Sequence, residues 1–229
     1  MGETVSFPSN GSQASGYLAV PRSGSGPGVL VVQEWWGLDP SLKRVADRLA
    51  DEGFVALAPD LYHGELAGHT EMDKAARLMS ELPPDRAARD MAGAITYLLG
   101  HAAVTGDAVG VVGFCMGGML AFRIAAQEGA RVAAAVPYYG APLGDEPDWT
   151  NLTAPVLVHV AGNDDFFPPD AINALAEKLR GLGKDVTTHV YEGTGHAFAG
   201  DHNALGTLDE DAAATAWART IEFLRAHLS

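Results

Sequence analysis

Val109-Gly110-Val111-Val112-Gly113-Phe114-Cys115-Met116-Gly117-Gly118 holds the only cysteine in a chain of 229 residues. Apolar and small residues run into Gly113, as in a strand buried on both faces, and residues 119–127 then take up the apolar spacing of a helix. The stretch reads as strand, tight turn and helix. Gly113-x-Cys115-x-Gly117 is its elbow, with sulfur where a nucleophile elbow usually carries serine. The flanking glycines let strand and helix approach closely, while the turn strains the nucleophile's backbone. Such an elbow sets the sulfur at the carboxyl edge of a sheet and aims a helix N-terminus at it, which stabilises thiolate. The competing reading is a buried cysteine that acts as a small hydrophobe beside a glycine-rich turn.

Strands and helices alternate on both sides of the elbow. Residues 3–7 and 14–20 suggest a hairpin, with the turn at 9–12. Strands are expected at 28–33, 54–58, 108–113, 132–136, 155–160 and 186–191. Helices are expected at 42–50, 71–82, 85–99, 119–128, 169–180 and 209–227, with Pro83 and Pro84 separating the second from the third. The segment before Ser23-Gly24-Ser25-Gly26-Pro27 is too small to be a domain, so this stretch is a surface loop and not a linker. The alternation predicts one α/β domain over residues 1–229, a doubly wound, mostly parallel sheet flanked by helices. Ligands in such folds bind beyond the carboxyl ends of the strands, which is where the elbow lies.

Composition narrows the function. Fifteen basic against 29 acidic residues give a net charge of −14, which opposes binding to nucleic acid, and no Lys/Arg cluster acts locally against the total. No apolar run is long enough for a membrane span, and the first residues lack the pattern of a secretory leader. A single cysteine permits no internal disulfide. These features suggest a cytoplasmic protein acting on a small molecule, with monomer and homodimer both open.

Two further loops at the same sheet edge carry chemistry. One follows the strand at 155–160 and holds Asp164 and Asp165; the other follows the strand at 186–191 and holds His196. The order cysteine, acid, histidine is that of a nucleophile, the acid that orients the base, and the base, in α/β-hydrolase folds. A thiol needs a base to ionise, and the base needs an acid to fix its tautomer. Either aspartate could instead cap the helix after Pro168 and Pro169. His159 lies within a core strand and reads as a packed histidine. His196, Asp201 and His202 outline a metal site only loosely, and no partner motif supports one; no metal and no cofactor are expected. Glu34 follows a buried strand and precedes Trp35 and Trp36, a setting that favours a desolvated carboxylate near the elbow. The backbone N–H groups of Trp35 and Met116 are the expected oxyanion donors.

Together QEWWG (33–37), APDLY (58–62), GFCMGG (113–118), YYG (138–140), DDFFP (164–168) and GHAF (195–198) resemble the dienelactone hydrolases, or carboxymethylenebutenolidases, over nearly the whole chain. The resemblance implies an α/β-hydrolase fold and a triad of Cys115, Asp164 and His196. Asp164 is selected over Asp165 because the family's aspartate lies four residues before its proline. It also implies that Glu34 is an auxiliary carboxylate that helps to activate the thiol. The implied reaction is cofactor-free opening of an enol-lactone through an acyl-thioester enzyme. Bacterial members hold the substrate carboxylate with two arginines. Here the position of the second is Gly200, while Lys74 or Arg77 stands near the first. Without that clamp, Trp35, Trp36, Tyr138 and Phe198 suit a less polar acyl or aryl ester.

Three readings follow. The first is an enzyme for a lactone or small ester. The second is a broader carboxylesterase or thioesterase for neutral substrates. The third is a non-catalytic redox sensor using Cys115. A sensor has no need of an acid and a histidine to carry a proton to a leaving group, which counts against the third.

Overall fold

The computed structural model of the protein describes residues 2–9 and 11–228. Its strands are β1 (Glu3–Ser9), β2 (Ser12–Ala19), β3 (Gly26–Val32), β4 (Val55–Pro59), β5 (Val104–Phe114), β6 (Val132–Tyr138), β7 (Val156–Asn163) and β8 (Val186–Gly195). Its α-helices are α1 (Pro40–Asp51), α2 (Met72–Glu81), α3 (Pro84–Gly100), α4 (Met116–Glu128), α5 (Pro169–Gly181) and α6 (Glu210–His227). The strands form one sheet in the order β1-β2-β4-β3-β5-β6-β7-β8. From β4 onward every pairing is parallel, while β1, β2 and β4 pair antiparallel. Asn10, in the middle of the expected hairpin turn, lies outside the described residues.

Each central strand is apolar on both faces because helices cover both. Leu30 and Val32 face the core shared with α2, α3, α4 and α5, whereas Val29 and Val31 face the core shared with α1 and α6. Local signals set the helix starts: Asp39 caps α1 by accepting the Leu42 N–H at 2.9 Å, and Pro40 follows at the first helical position. From β3 the chain goes outward to β4 and then returns across β3 to β5. Between β3 and β5, at this reversal, two loops diverge and leave a crevice. Those loops are the one after Val32, which carries Glu34 and Trp35, and the elbow after Phe114. The register Val32↔Gly113 brings them side by side.

The elbow is tighter than the sequence spacing suggests. Helix α4 starts at Met116, three residues early, and takes Gly117 and Gly118 into its first turn. A Cβ on Gly117 would lie 2.3 Å from the Val32 carbonyl oxygen and 2.6 Å from that of Gln33. Both are backbone atoms of neighbouring chain and cannot rotate away. Gly117→Ala is therefore expected to cost about 3 kcal/mol or more of stability, as overpacking against rigid backbone does. Gly100, at the end of α3, has open space around its Cα, and Gly100→Ala should be neutral or stabilise by up to about 1 kcal/mol. Urea unfolding of the two variants checks the contrast; equal stability would mean that the close approach does not constrain the elbow.

Candidate active site

Cys115 occupies the N-cap position of α4 with φ 55° and ψ −117°. This backbone is unfavourable for a residue carrying a Cβ, and the surrounding structure holds it in place. The Cys115 N–H donates to the Tyr138 carbonyl at 3.1 Å, and the Cys115 carbonyl accepts from Gly118 N–H at 2.9 Å. The backbone N–H groups of Met116 and Trp35 both donate toward the sulfur. They come from the two loops that diverge at the reversal. The Tyr62 hydroxyl donates to the Trp35 carbonyl at 3.2 Å and pins that loop.

Burial pushes the Cys115 thiol well above the usual range, and the negative charge of Glu34 adds to the effect. The two N–H groups act in the opposite direction and are outweighed. The Met116 N–H at the start of α4 acts in the thiolate's favour, as the sequence leads one to expect. Desolvation and the neighbouring carboxylate oppose the two N–H groups and shift the thiol upward overall.

His196 Nδ1 lies 2.8 Å from Asp164 Oδ2, and both residues are buried. Asp164 Oδ1 accepts the N–H groups of Phe166 at 2.8 Å and Phe167 at 2.9 Å, so both carboxylate oxygens are engaged. Asp165 is exposed. Cys115 and His196 line one cavity of about 410 Å³ together with Trp35, Met79, Met116, Met119, Phe166, Phe167 and Leu205. Among the described residues, no lysine, arginine or carboxylate lines its wall.

The other aromatic candidates lie elsewhere. Phe198 is fully buried between Tyr139 and Tyr191, because Ala197 at φ 63° turns the chain inward after His196. The Tyr138 hydroxyl lies 2.6 Å from Thr220 Oγ1, and Tyr138 borders a second cavity of about 360 Å³ over α6. Gly200 borders that cavity too. Trp36 packs against His69 and His202 in a cleft beside Glu34. Arg77 is exposed on α2 and pairs with Glu81 and Glu65, and neither it nor Lys74 lines the Cys115 cavity.

Glu34 is buried; its Oε2 lies 2.6 Å from His202 Nε2, and its side chain also interacts with the Tyr139 hydroxyl. Sequence reasoning considered His202 only as a metal ligand and missed this pairing. Among the described residues, no group of three or more His, Cys, Asp or Glu side chains is placed to hold a metal ion. It also gave no pocket role to Phe166 and Phe167, although they adjoin Asp164, or to Met119, one helical turn beyond Cys115. Met79 and Leu205 come from distant segments that carry no motif.

The family model for the dienelactone hydrolase family matches residues 14–228. The chain belongs to that family. Carboxymethylenebutenolidase of Pseudomonas sp. (strain P51) is 31% identical to it over 223 residues, which is 94% of this chain and 91% of that protein. Protein usf of Aquifex pyrophilus is 36% identical over 235 residues, with both chains covered in full. The solved structure named m3DLH superposes with a TM-score of 0.88 at 26% identity, over 100% of this chain and 99% of the other. This dienelactone hydrolase-like chain is thus a hydrolase on an α/β-hydrolase fold. No described helix is long and apolar enough to cross a membrane.

Proposed function

We propose that the protein hydrolyses neutral, apolar carboxylic esters or lactones, with Cys115 as nucleophile, His196 as general base and acid, and Asp164 as the group that orients His196. The observation that carries this reading is the cavity. Cys115 and the Asp164-bound His196 share a wall that is otherwise apolar and holds no cation. An anionic lactone would be desolvated there without a partner, whereas a neutral acyl chain gains by burial.

In the proposed sequence, the Sγ proton passes to His196 Nε2 as sulfur adds to the carbonyl carbon. The carbonyl oxygen becomes an oxyanion held by the N–H groups of Trp35 and Met116. Collapse breaks the bond to the alcohol oxygen, which takes the proton from His196 and leaves a thioester on Cys115; in a lactone the alcohol stays tethered. Water then adds to the thioester while His196 takes its proton. The second collapse expels the sulfur, which recovers that proton, and releases the acid. The elevated Cys115 thiol also weighs against oxidation sensing, which needs a ready thiolate.

Side-by-side hydrolysis of p-nitrophenyl butyrate and cis-dienelactone tests the reading, with intact mass measured during turnover of the ester. The neutral ester is expected to have the larger kcat/KM, and one butyryl group should be found on Cys115. Preference for the dienelactone would overturn the substrate assignment, and a butyryl group on another residue would overturn the mechanism. Met79→Arg places a cation at the cavity rim, where Met79 is partly exposed. It should shift the kcat/KM ratio toward the dienelactone by about tenfold, the size of one charge-assisted contact.

A further inference from the structure

The Trp35 and Met116 N–H groups come from two separate loops, and an oxyanion hole works only if their separation is fixed before substrate arrives. One buried hydroxyl touches both residues. Tyr62 Oη donates to the Trp35 carbonyl at 3.2 Å and lies 3.6 Å from Met116 Sδ. We propose that Tyr62 is a positioning residue for the oxyanion hole, holding the Trp35 and Met116 backbones at the separation the tetrahedral intermediate requires. The inference rests on the reading of Cys115 as nucleophile and of these two N–H groups as oxyanion donors.

The loop after β3 has little internal support. Residues 33–36 lie outside any strand or helix, and the Glu34 carbonyl takes only a long bond from Gly37 N–H, at 3.3 Å. The segment after β4 supplies the ties. Leu61 N–H donates to Gln33 Oε1 at 3.1 Å, the Tyr62 hydroxyl to the Trp35 carbonyl, and Ala67 N–H to the Trp36 carbonyl at 2.9 Å. Of these ties, the one from Tyr62 falls on an oxyanion residue and also reaches the elbow.

That segment is itself anchored. Asp60 N–H donates to the Ser15 carbonyl of β2 at 2.8 Å, and the Asp60 carboxylate accepts the N–H groups of Tyr62 at 3.1 Å and Gly64 at 2.6 Å. His63 Nε2 lies 2.7 Å from Oδ2 of Asp90, a buried residue of α3. The hydroxyl is therefore mounted on a fixed support, as a positioning group must be. It has one proton to give, and the carbonyl oxygen is a stronger acceptor than a thioether, so the proton goes to Trp35 while the Met116 sulfur packs against the oxygen. The Trp35 carbonyl and N–H flank the same Cα, so holding the first restrains the rotation that would swing the second away. Burial, and after it the charge of Cys115, raise the Tyr62 hydroxyl well above the ordinary tyrosine range, which keeps it a donor. Tyr62 does not line the Cys115 cavity, so its route to the reaction runs through Trp35 and Met116.

The test is Tyr62→Phe, which keeps the ring and removes the hydroxyl. The hole serves both acylation and thioester hydrolysis, so kcat for p-nitrophenyl butyrate should fall about tenfold while KM stays within about twofold, the effect of one lost hydrogen bond. Propyl trifluoromethyl ketone gives a readout that packing alone would not move. Sγ bonds to its carbonyl carbon, the Sγ proton passes to His196, and the π pair settles on oxygen as an oxyanion in the same hole; nothing leaves. Its Ki should rise by the factor by which kcat falls, within about twofold. Tyr191→Phe is the control, because it removes a hydroxyl bonded to His159 Nδ1 at 2.8 Å, away from the cavity. It should lower the melting temperature and leave kcat and Ki unchanged. Unchanged kcat and Ki in Tyr62→Phe would overturn the proposal, as would a slower kcat with an unchanged Ki or a change confined to KM. Were Cys115 not the nucleophile, the ketone would fail to protect it from iodoacetamide in the wild type, and the proposal would fall with that reading and not on Tyr62.

Discussion

Cys115→Ala is expected to lower kcat/KM for p-nitrophenyl butyrate by about 10⁴-fold or more, while the melting temperature stays within about 2 °C of wild type. The two halves of that expectation have separate physical origins. Activity falls because, among the described residues, no other hydroxyl or thiol side chain lines the cavity, so the covalent route closes and only binding and the two N–H donors remain. Stability holds because alanine keeps the Cβ, and so the same strain at φ 55°, while removing only a sulfur atom from a partly exposed position. The measurement is steady-state hydrolysis beside a thermal melt. Wild-type turnover in the variant would remove Cys115 from the mechanism. A large drop in melting temperature would mean that the cysteine is a packing residue after all.

The contrast with Gly117 shows which parts of the site were legible in the residues. The elbow, the alternation of strands and helices, and the loops bearing Glu34, Asp164 and His196 all depend on local pattern, and the sheet places them where pattern predicts. Sequence spacing starts α4 at residue 119, with Gly117 and Gly118 in the turn before it, whereas both lie in the first turn of the helix. Gly117 is constrained by the Val32 and Gln33 carbonyls at the end of β3 and Gly118 by the Tyr138 carbonyl at the end of β6, approaches that no local window contains. The choice of pocket residues went further astray for a related reason. An aromatic side chain beside a catalytic motif carries no mark of which side of the sheet it faces. Phe198 is sent into the core by the left-handed backbone of Ala197, and Tyr138 faces α6, where Thr220 takes its hydroxyl. The cavity wall is instead assembled from α2, α4 and two loops, a set joined only by tertiary packing. His202 was invisible as a partner of Glu34 because 168 residues separate them in sequence.

Asp164→Asn is expected to lower kcat by about 10³ to 10⁴-fold with the fold intact, while Asp165→Asn changes kcat by less than about twofold. The difference follows from what each carboxylate touches. Asp165 is exposed, and an amide there meets water as the carboxylate did. Asp164 Oδ1 receives two backbone N–H groups, from Phe166 and Phe167, so an asparagine must keep its carbonyl oxygen at that position to satisfy them. Its NH₂ group then occupies the place of Oδ2 and points at His196 Nδ1, 2.8 Å away. That nitrogen becomes an acceptor, the ring proton moves to Nε2, and the edge that must receive the Cys115 proton is already filled. The loss therefore lies in the tautomer and not in the packing. A kcat defect without a matching change in melting temperature supports this account. If instead Asp165→Asn is the damaging change, the acid of the triad has been assigned to the wrong aspartate; if both variants keep wild-type kcat, His196 does not depend on either for its orientation.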